Sequence, residues 1–487
     1  MKSKKSLRVN FIYSITYQLL AIILPLITAP FVTRVLGAKS LGIYSKSQAL
    51  ASYFLLFAML GVNNYGNRAI ARVRDDRHDV SRTFWEIYTF QIITAIVSSV
   101  TYLAYCTIFI QDNKIVYVLQ LFYVFSGLVD VNWCCFGLEK FKLTTIRSMI
   151  IRTLTAVAIF LFIRTPDDLP KYTLIMSISF IFSGVAVWPF IIKNIDFIKP
   201  DWTGIKKHIK PNLVLFWPVI AVSLYNIMDK LMLGWFSTDE EVAFYTYAER
   251  IVTIPTTLIL ALDNVIMPRM SNLYASNGKD ETIKKLMDTV MLFAMFMAAA
   301  MSFGLAGVSD VFAPWFYGSA FSRCGYFILL LSPVIVVKGW AGALRTQFII
   351  PTGRDKVYVI SLTVGAFINL ILNALLIPTL NGVGAIIGTL AAEFSVCFMQ
   401  FSLCRKDIDL KNYLINGISF CVIGFLMFIV VESLSHISNR PLLTMFVQIM
   451  CGAIIYFVLS SIYMVKIRKT PILVNEVMKI LRIKHRF

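Results

Sequence analysis

The sequence predicts an all-α, polytopic membrane protein with about fourteen transmembrane helices, arranged as two six-helix lobes in parallel repeat plus two C-terminal helices. Three observations predict it. The 487 residues are 58% hydrophobic and only 15% charged, against about 25% charged in a typical soluble domain. With a mean hydropathy of +0.73, too little polar surface exists to cover a soluble globule. Apolar runs recur at the roughly 20-residue length that crosses a bilayer as a helix. Lys and Arg collect in alternate loops, as they do on the cytoplasmic side of membrane proteins.

The runs fall near 10–33, 41–60, 84–110, 115–137, 146–163, 171–192, 212–235, 242–266, 288–308, 325–344, 357–378, 383–403, 413–433 and 441–464. They are numbered here as spans 1 to 14. Residues 1–10 are basic and lead into span 1 without a small-residue cleavage site, so this segment reads as a retained helix, not a signal peptide. An even count puts both termini on one side. With the N-terminus cytoplasmic, thirty-six of the forty-six Lys and Arg residues fall on the inner face, counting Arg152 and Lys338 at soft span ends. That belt suits anionic lipid headgroups and accounts for the net charge of +19 without nucleic acid. The eight cysteines (Cys106, Cys134, Cys135, Cys324, Cys397, Cys404, Cys421, Cys451) form no C-x-x-C pair. Nearly all sit in apolar segments, where cysteine acts as a small hydrophobe, so neither a disulfide framework nor a zinc site is expected. His78, His208, His436 and His485 are scattered in loops.

An internal echo sets the domain plan. Val35-Leu36-Gly37 followed by Gly42-Ile43-Tyr44 is matched by Met232-Leu233-Gly234 followed by Ala243-Phe244-Tyr245. The exit of span 4, Phe136 to Lys142, is matched by Phe348 to Lys356 after span 10. Six spans separate each pair. Six is even, so the halves keep the same orientation, a parallel repeat about an axis along the membrane normal. The chain then divides into a lobe at 1–200, a lobe at 201–405, and residues 406–487 with spans 13 and 14 and a basic tail.

Ionisable residues inside a span cost about 2.5–3.5 kcal/mol each on insertion scales and tend to mark function. Asp229-Lys230 in span 7 is flanked by apolar residues on both sides. The two side chains point about 100° apart, so they serve poorly as an intrahelical pair. They line a cavity, or they neutralise each other enough to let the helix insert. Tyr225 shares a face with Asp229, and Asn226 with Lys230. Glu249-Arg250 in span 8 is a second cavity pair or a snorkelling surface pair. Asp130 in span 4 has Arg34 as a potential partner, or is solvated near the inner boundary. Asp263 stands near the inner end of span 8. Glu393 stands mid-span in span 12 with few polar neighbours, a candidate for proton coupling. Asn369 and Asn373 share a face of span 11. These amides, with Gln18, Gln48 and Gln91, line a cavity or join helices. Pro25 and Pro30 in span 1 and Pro218 in span 7 mark matching kinks, either hinges or static bends. The chain carries no phosphate-binding glycine loop and no catalytic constellation. It reads as a non-enzyme without a cofactor, driven by an H+ or Na+ gradient or by the substrate gradient.

The segment from Ile27 to Gly37 (Ile-Thr-Ala-Pro-Phe-Val-Thr-Arg-Val-Leu-Gly), followed by Gly42-Ile43-Tyr44-Ser45, resembles the opening of Wzx-type polysaccharide-transport flippases. These belong to the multidrug/oligosaccharidyl-lipid/polysaccharide exporter superfamily. Asp229-Lys230 with Gly234 and Tyr245, Gly342 to Gln347 with Pro351, and Asn369 to Asn373 with Pro378 and Gly384 resemble later motifs of that family. Ala243 and Phe244 depart from the Gly-Tyr usual before that tyrosine. The resemblance spans essentially the whole chain. It implies two lobes forming a V, plus two C-terminal helices, in a bacterial cytoplasmic membrane. It implies an undecaprenyl-pyrophosphate-linked oligosaccharide repeat unit as substrate, flipped outward for capsular, O-antigen or related polysaccharide. A polysaccharide polymerase and a chain-length regulator are the implied partners, besides membrane lipids. The expected cavity contains Arg34, Asp229, Lys230, Glu249, Arg250, Asn369 and Asn373, with the cations on the pyrophosphate and Asp130 or Glu393 in coupling. The alternatives are a cation-coupled multidrug antiporter of the same superfamily and an integral-membrane polymerase. The polymerase normally needs a large extracytoplasmic loop, which the sequence lacks.

Overall fold

The computed structural model describes residues 2–276 and 280–468. Lys279, His485 and the basic tail beyond 468 lie outside the described residues, as do the side chains of Gln18, Pro218 and Tyr225. Every regular element among the described residues is helical. Ten helices are long and apolar enough to cross a membrane, or thirteen when three bent pairs each count as one span. Twelve of the predicted spans each fall on one of these, and the remaining two share the first, Leu24–Val73. Between those two, Gly37 takes φ 73° and ψ 174° and breaks the helix Lys2–Met59. That backbone region is open essentially to glycine alone.

The other breaks have local causes. Span 7 bends by 45° between Leu224 and Met228, not at Pro218 as the kink reading expected. There the Tyr53 hydroxyl donates to Ser223 O at 3.1 Å, the carbonyl that also accepts from Ile227 N at 2.9 Å. A side chain inserted into the helical ladder produces such a kink. Span 10 bends by 42° between Leu331 and Pro333, where proline removes a donor; the Ser302 hydroxyl donates to Ser332 O at 2.8 Å. A π-helical turn, Arg345–Ile349, follows.

Span 4 is interrupted between Leu121–Val129 and Asn132–Gly137. A break inside a bilayer must be resatisfied by neighbours, and here it is. Gln91 Nε2 donates to Gly127 O at 2.6 Å and Asp130 O at 2.9 Å. The Tyr88 hydroxyl donates to Leu128 O at 3.1 Å, and Trp188 Nε1 to Val129 O at 3.1 Å. Trp133 Nε1 in turn donates to Gln91 Oε1 at 2.9 Å. Phe84 stacks on both Tyr88 and Trp133, closing a buried cluster under the break.

The chain forms two compact units, Met1–Ala243 and Phe244–Phe487. Span 7 belongs to the first by specific contacts. His208 Nε2 and Glu86 Oε2 lie 2.9 Å apart, and the Tyr65 hydroxyl lies 2.6 Å from His208 Nδ1. His208 is therefore a buried helical residue and not the loop histidine the sequence suggested. Asp201 caps this helix; the Thr203 hydroxyl and the Gly204 amide hold its carboxyl below the usual carboxylate range. A Cβ at Gly42 would meet Asp239 O at 1.7 Å, and one at Gly234 would meet Lys46 Cδ at 2.5 Å. Gly42 and Gly234, one from each copy of the sequence echo, thus serve as close-approach points on each other's segments.

In the second unit, spans 13 and 14 pack on span 9. Gly307 abuts Val431, Gly424 abuts Phe303, and the Tyr456 hydroxyl donates to Phe296 O at 2.8 Å. Small residues that admit a neighbouring helix are the usual device for packing in lipid. The outward faces carry exposed Val422, Phe425, Ile429, Phe446 and Ile454, an apolar surface suited to lipid tails.

Candidate functional site

The charged residues singled out by sequence divide between the two units. In the first, Arg34 is exposed and donates from Nη1 to Pro30 O at 2.9 Å. Asp229 is buried, within electrostatic reach of Tyr53. Lys230 is half-buried and donates to Asn226 O at 3.3 Å. The adjacent residues of the pair differ in exposure, as their 100° offset requires. Lys46 is half-buried, its stem across Gly234 and its charge acting on Asp239.

Asp130 sits in the break of span 4. Its Oδ1 accepts from Asn132 N at 3.0 Å and Asn132 Nδ2 at 2.6 Å. The cation acting on it is Arg147, not the Arg34 that the sequence suggested. Arg147 stands at the start of span 5, the span that follows Asp130 in the chain.

In the second unit, the guanidinium of Arg250 lies 4.6 Å above the Tyr247 ring. Tyr247 meets Tyr317 edge-on, and the Tyr317 hydroxyl donates to Tyr247 O at 3.1 Å. Glu249 beside it is half-buried. Asn369 and Asn373 are joined, Nδ2 of Asn373 to Oδ1 of Asn369 at 3.1 Å. Both are fully buried, and a Cβ at Gly388 would meet Asn373 Oδ1 at 2.1 Å. The amide pair therefore lies between spans 11 and 12. Asp263 is buried in the bend of span 8, where its carbonyl accepts from Gln347 Nε2 at 2.9 Å.

Glu393 has a partner that sequence reasoning missed. Lys338 Nζ lies 2.7 Å from its Oε1. Glu393 is the central residue of Gly382–Cys404, eleven residues from either end, or about 16 Å at 1.5 Å per residue. The pair is thus at mid-bilayer depth. Hydropathy alone puts Lys338 on the inner face, because it stands near the end of an apolar run. The signal that could have found it is its place inside Pro333–Leu344, seven residues before Arg345. Among the described residues, no three His, Cys, Asp or Glu side chains are grouped to hold a metal ion.

Known proteins share both sequence and fold with this chain. Residues 7–274 match the family described as polysaccharide biosynthesis protein. A protein of Escherichia coli (strain K12) named for O-antigen transport is 23% identical over 410 residues, covering 83% of this chain and 98% of that one. The fold matches that of a lipid II flippase in an inward closed conformation, with TM-score 0.75 and 14% identity over 93% of this chain and 99% of the other. An inward-facing multidrug resistance transporter of the MATE family gives TM-score 0.61 and 15% identity, covering 80% and 96%.

Proposed function

The chain belongs to the polysaccharide biosynthesis protein family, and on that footing we propose that it is a membrane flippase for a lipid-linked oligosaccharide. The substrate is an undecaprenyl-pyrophosphate carrier bearing one repeat unit, moved from the cytoplasmic to the outer leaflet with both termini cytoplasmic. The nearly end-to-end match to the O-antigen transport relative supports this reading. So does the exposure of the charges singled out by sequence, the observation that favours it over drug export. Arg34 is exposed; Lys230, Arg250 and Lys338 are partly so. Asp229, Asp263 and Glu393 are buried. Of the acids singled out by sequence, only Glu249 and Asp130 are half-buried. A site for cationic drugs needs reachable acids, whereas a site for pyrophosphate needs reachable cations.

In this reading Arg34 and Lys230 of the first unit, and Arg250 and Lys338 of the second, are the candidate phosphate-binding cations, and the lipid tail stays in the bilayer. Glu393 holds Lys338 until the substrate phosphate competes for it. Coupling to H+ or Na+ falls to Glu393 or Asp130, without a resident cofactor. Asp229 and Glu249 stand beside Lys230 and Arg250 on the same helices, and the Asn369–Asn373 pair joins spans 11 and 12. A polymerase and a chain-length regulator receive the product.

Depleting the protein in its host tests the assignment. Lipid-linked repeat units accumulate and surface polymer falls, and Lys230→Ala or Arg250→Ala fails to restore export. A charge-assisted hydrogen bond is worth about 1.5–3 kcal/mol, so each substitution lowers export about 10- to 100-fold. Normal polymer after depletion refutes the function; normal export by both variants refutes the phosphate site.

A further inference from the structure

The first unit carries a cleft of about 710 Å³ that the transport reading does not use. It lies between the turn after span 4, the start of the helix Phe141–Phe162, and the turn at Ala186. Its volume is within the roughly 300–1,000 Å³ of small-molecule sites. One side is basic, with Lys140, Lys142 and Arg147; the other is apolar, with Ile146, Ile150 and Phe190.

The two sides differ in more than composition. Lys140 and Lys142 are exposed at the rim. The one acid of the lining, Glu139, is ion-paired with Arg74, so its charge is already offset. Arg147 is half-buried, with Nη2 donating to Ser148 Oγ at 3.0 Å. On the apolar side Ile146 is 39% and Ile150 55% exposed. Both are exposed residues of span 5, on a surface open to lipid tails. A soluble anion would use the rim and leave the apolar wall uncovered, and an uncharged tail would use the wall alone. A molecule with a phosphate head and acyl chains satisfies both.

We propose that this cleft binds an anionic phospholipid of the surrounding bilayer, with its phosphate at Lys140, Lys142 and Arg147 and an acyl chain along Ile146, Ile150 and Phe190. Basic pockets between membrane helices recognise headgroups in this way. The bound lipid covers the start of span 5 beside Arg147, the cation that acts on Asp130 in the broken span.

Native mass spectrometry of the full chain, titrated separately with phosphatidylglycerol and phosphatidylcholine, tests it. Phosphatidylglycerol is retained in preference to phosphatidylcholine. A basic residue near a charged headgroup is worth about fivefold in affinity, so the double variant Lys140→Ala/Lys142→Ala weakens phosphatidylglycerol binding about 30-fold. Both residues are exposed, so the variant keeps its fold. Ile150→Glu weakens the same binding with the rim intact. Equal retention of the two lipids, or undiminished binding by the double variant, overturns the proposal. A polyprenyl phosphate arm separates the sources: if it displaces phosphatidylglycerol from the wild-type cleft and loses affinity in the double variant, the cleft is a substrate site and the proposal fails.

Discussion

Replacing Lys338 by Met leaves the Glu393 carboxylate at mid-bilayer depth without its cation. Opposite charges 2.7 Å apart attract by about 6 kcal/mol at an effective dielectric near 20. Desolvation offsets much of that, and removing one partner of a buried pair costs about 3–5 kcal/mol. The Lys338 side chain is 32% exposed and that of Glu393 only 6%, so the lower figure, about 3 kcal/mol, applies to losing the lysine. The reverse change is milder. In Glu393→Gln the lysine can extend toward solvent along its stem, at a cost of about 1 kcal/mol. The double variant Lys338→Met/Glu393→Gln removes both charges and is more stable than Lys338→Met alone by about 2 kcal/mol. Thermal unfolding in detergent reads these differences; at about 2–4 °C per kcal/mol for a unit of this size, Lys338→Met falls by roughly 6–12 °C. If the two single effects simply add in the double variant, the side chains are not coupled and the pair has no structural role.

Other outcomes follow from named contacts. Gly37→Ala forces a side chain into φ 73°, ψ 174° with no neighbour within 4 Å to clash with; backbone strain alone lowers stability by about 1–3 kcal/mol, read as an earlier thermal transition. Gln91→Leu removes two donors to the broken span and the acceptor of Trp133. At about 1 kcal/mol each it costs about 3 kcal/mol and exposes the span 4 break to faster hydrogen exchange. The Arg354 guanidinium holds the Asp407 carboxyl below its ordinary value of 3.8. Its stabilisation is therefore full above that value and is lost only as the pH falls through the lower folded value. Arg354→Gln removes the acid-side dependence, as acid unfolding curves of the two proteins would show.

The helices were legible because hydropathy and the Lys/Arg alternation are one-dimensional signals that a bilayer imposes directly. Gly37 was legible as a span end, since only its backbone freedom matters there. The interruption of span 4 was not, because Gly127 to Asn132 lacks proline; what opens that helix is the set of donors from Gln91, Tyr88 and Trp188, brought in from spans 3 and 6. Intramembrane charges were legible as types but not as partners. Lys338 and Glu393 stand 55 positions apart in sequence, and only packing of spans 10 and 12 joins them. His208 looked like a loop residue for the same reason, since Glu86 and Tyr65 come from other helices.

Reconstitution tests the central claim most directly. The purified chain is placed in vesicles carrying a lipid-linked oligosaccharide labelled on its sugar, and leaflet exposure is followed with a membrane-impermeant reagent. The account predicts that the chain speeds transfer between leaflets, and that Lys230→Ala and Arg250→Ala slow it. Transfer no faster than in protein-free vesicles, together with uptake of a cationic dye by the same vesicles, would contradict it.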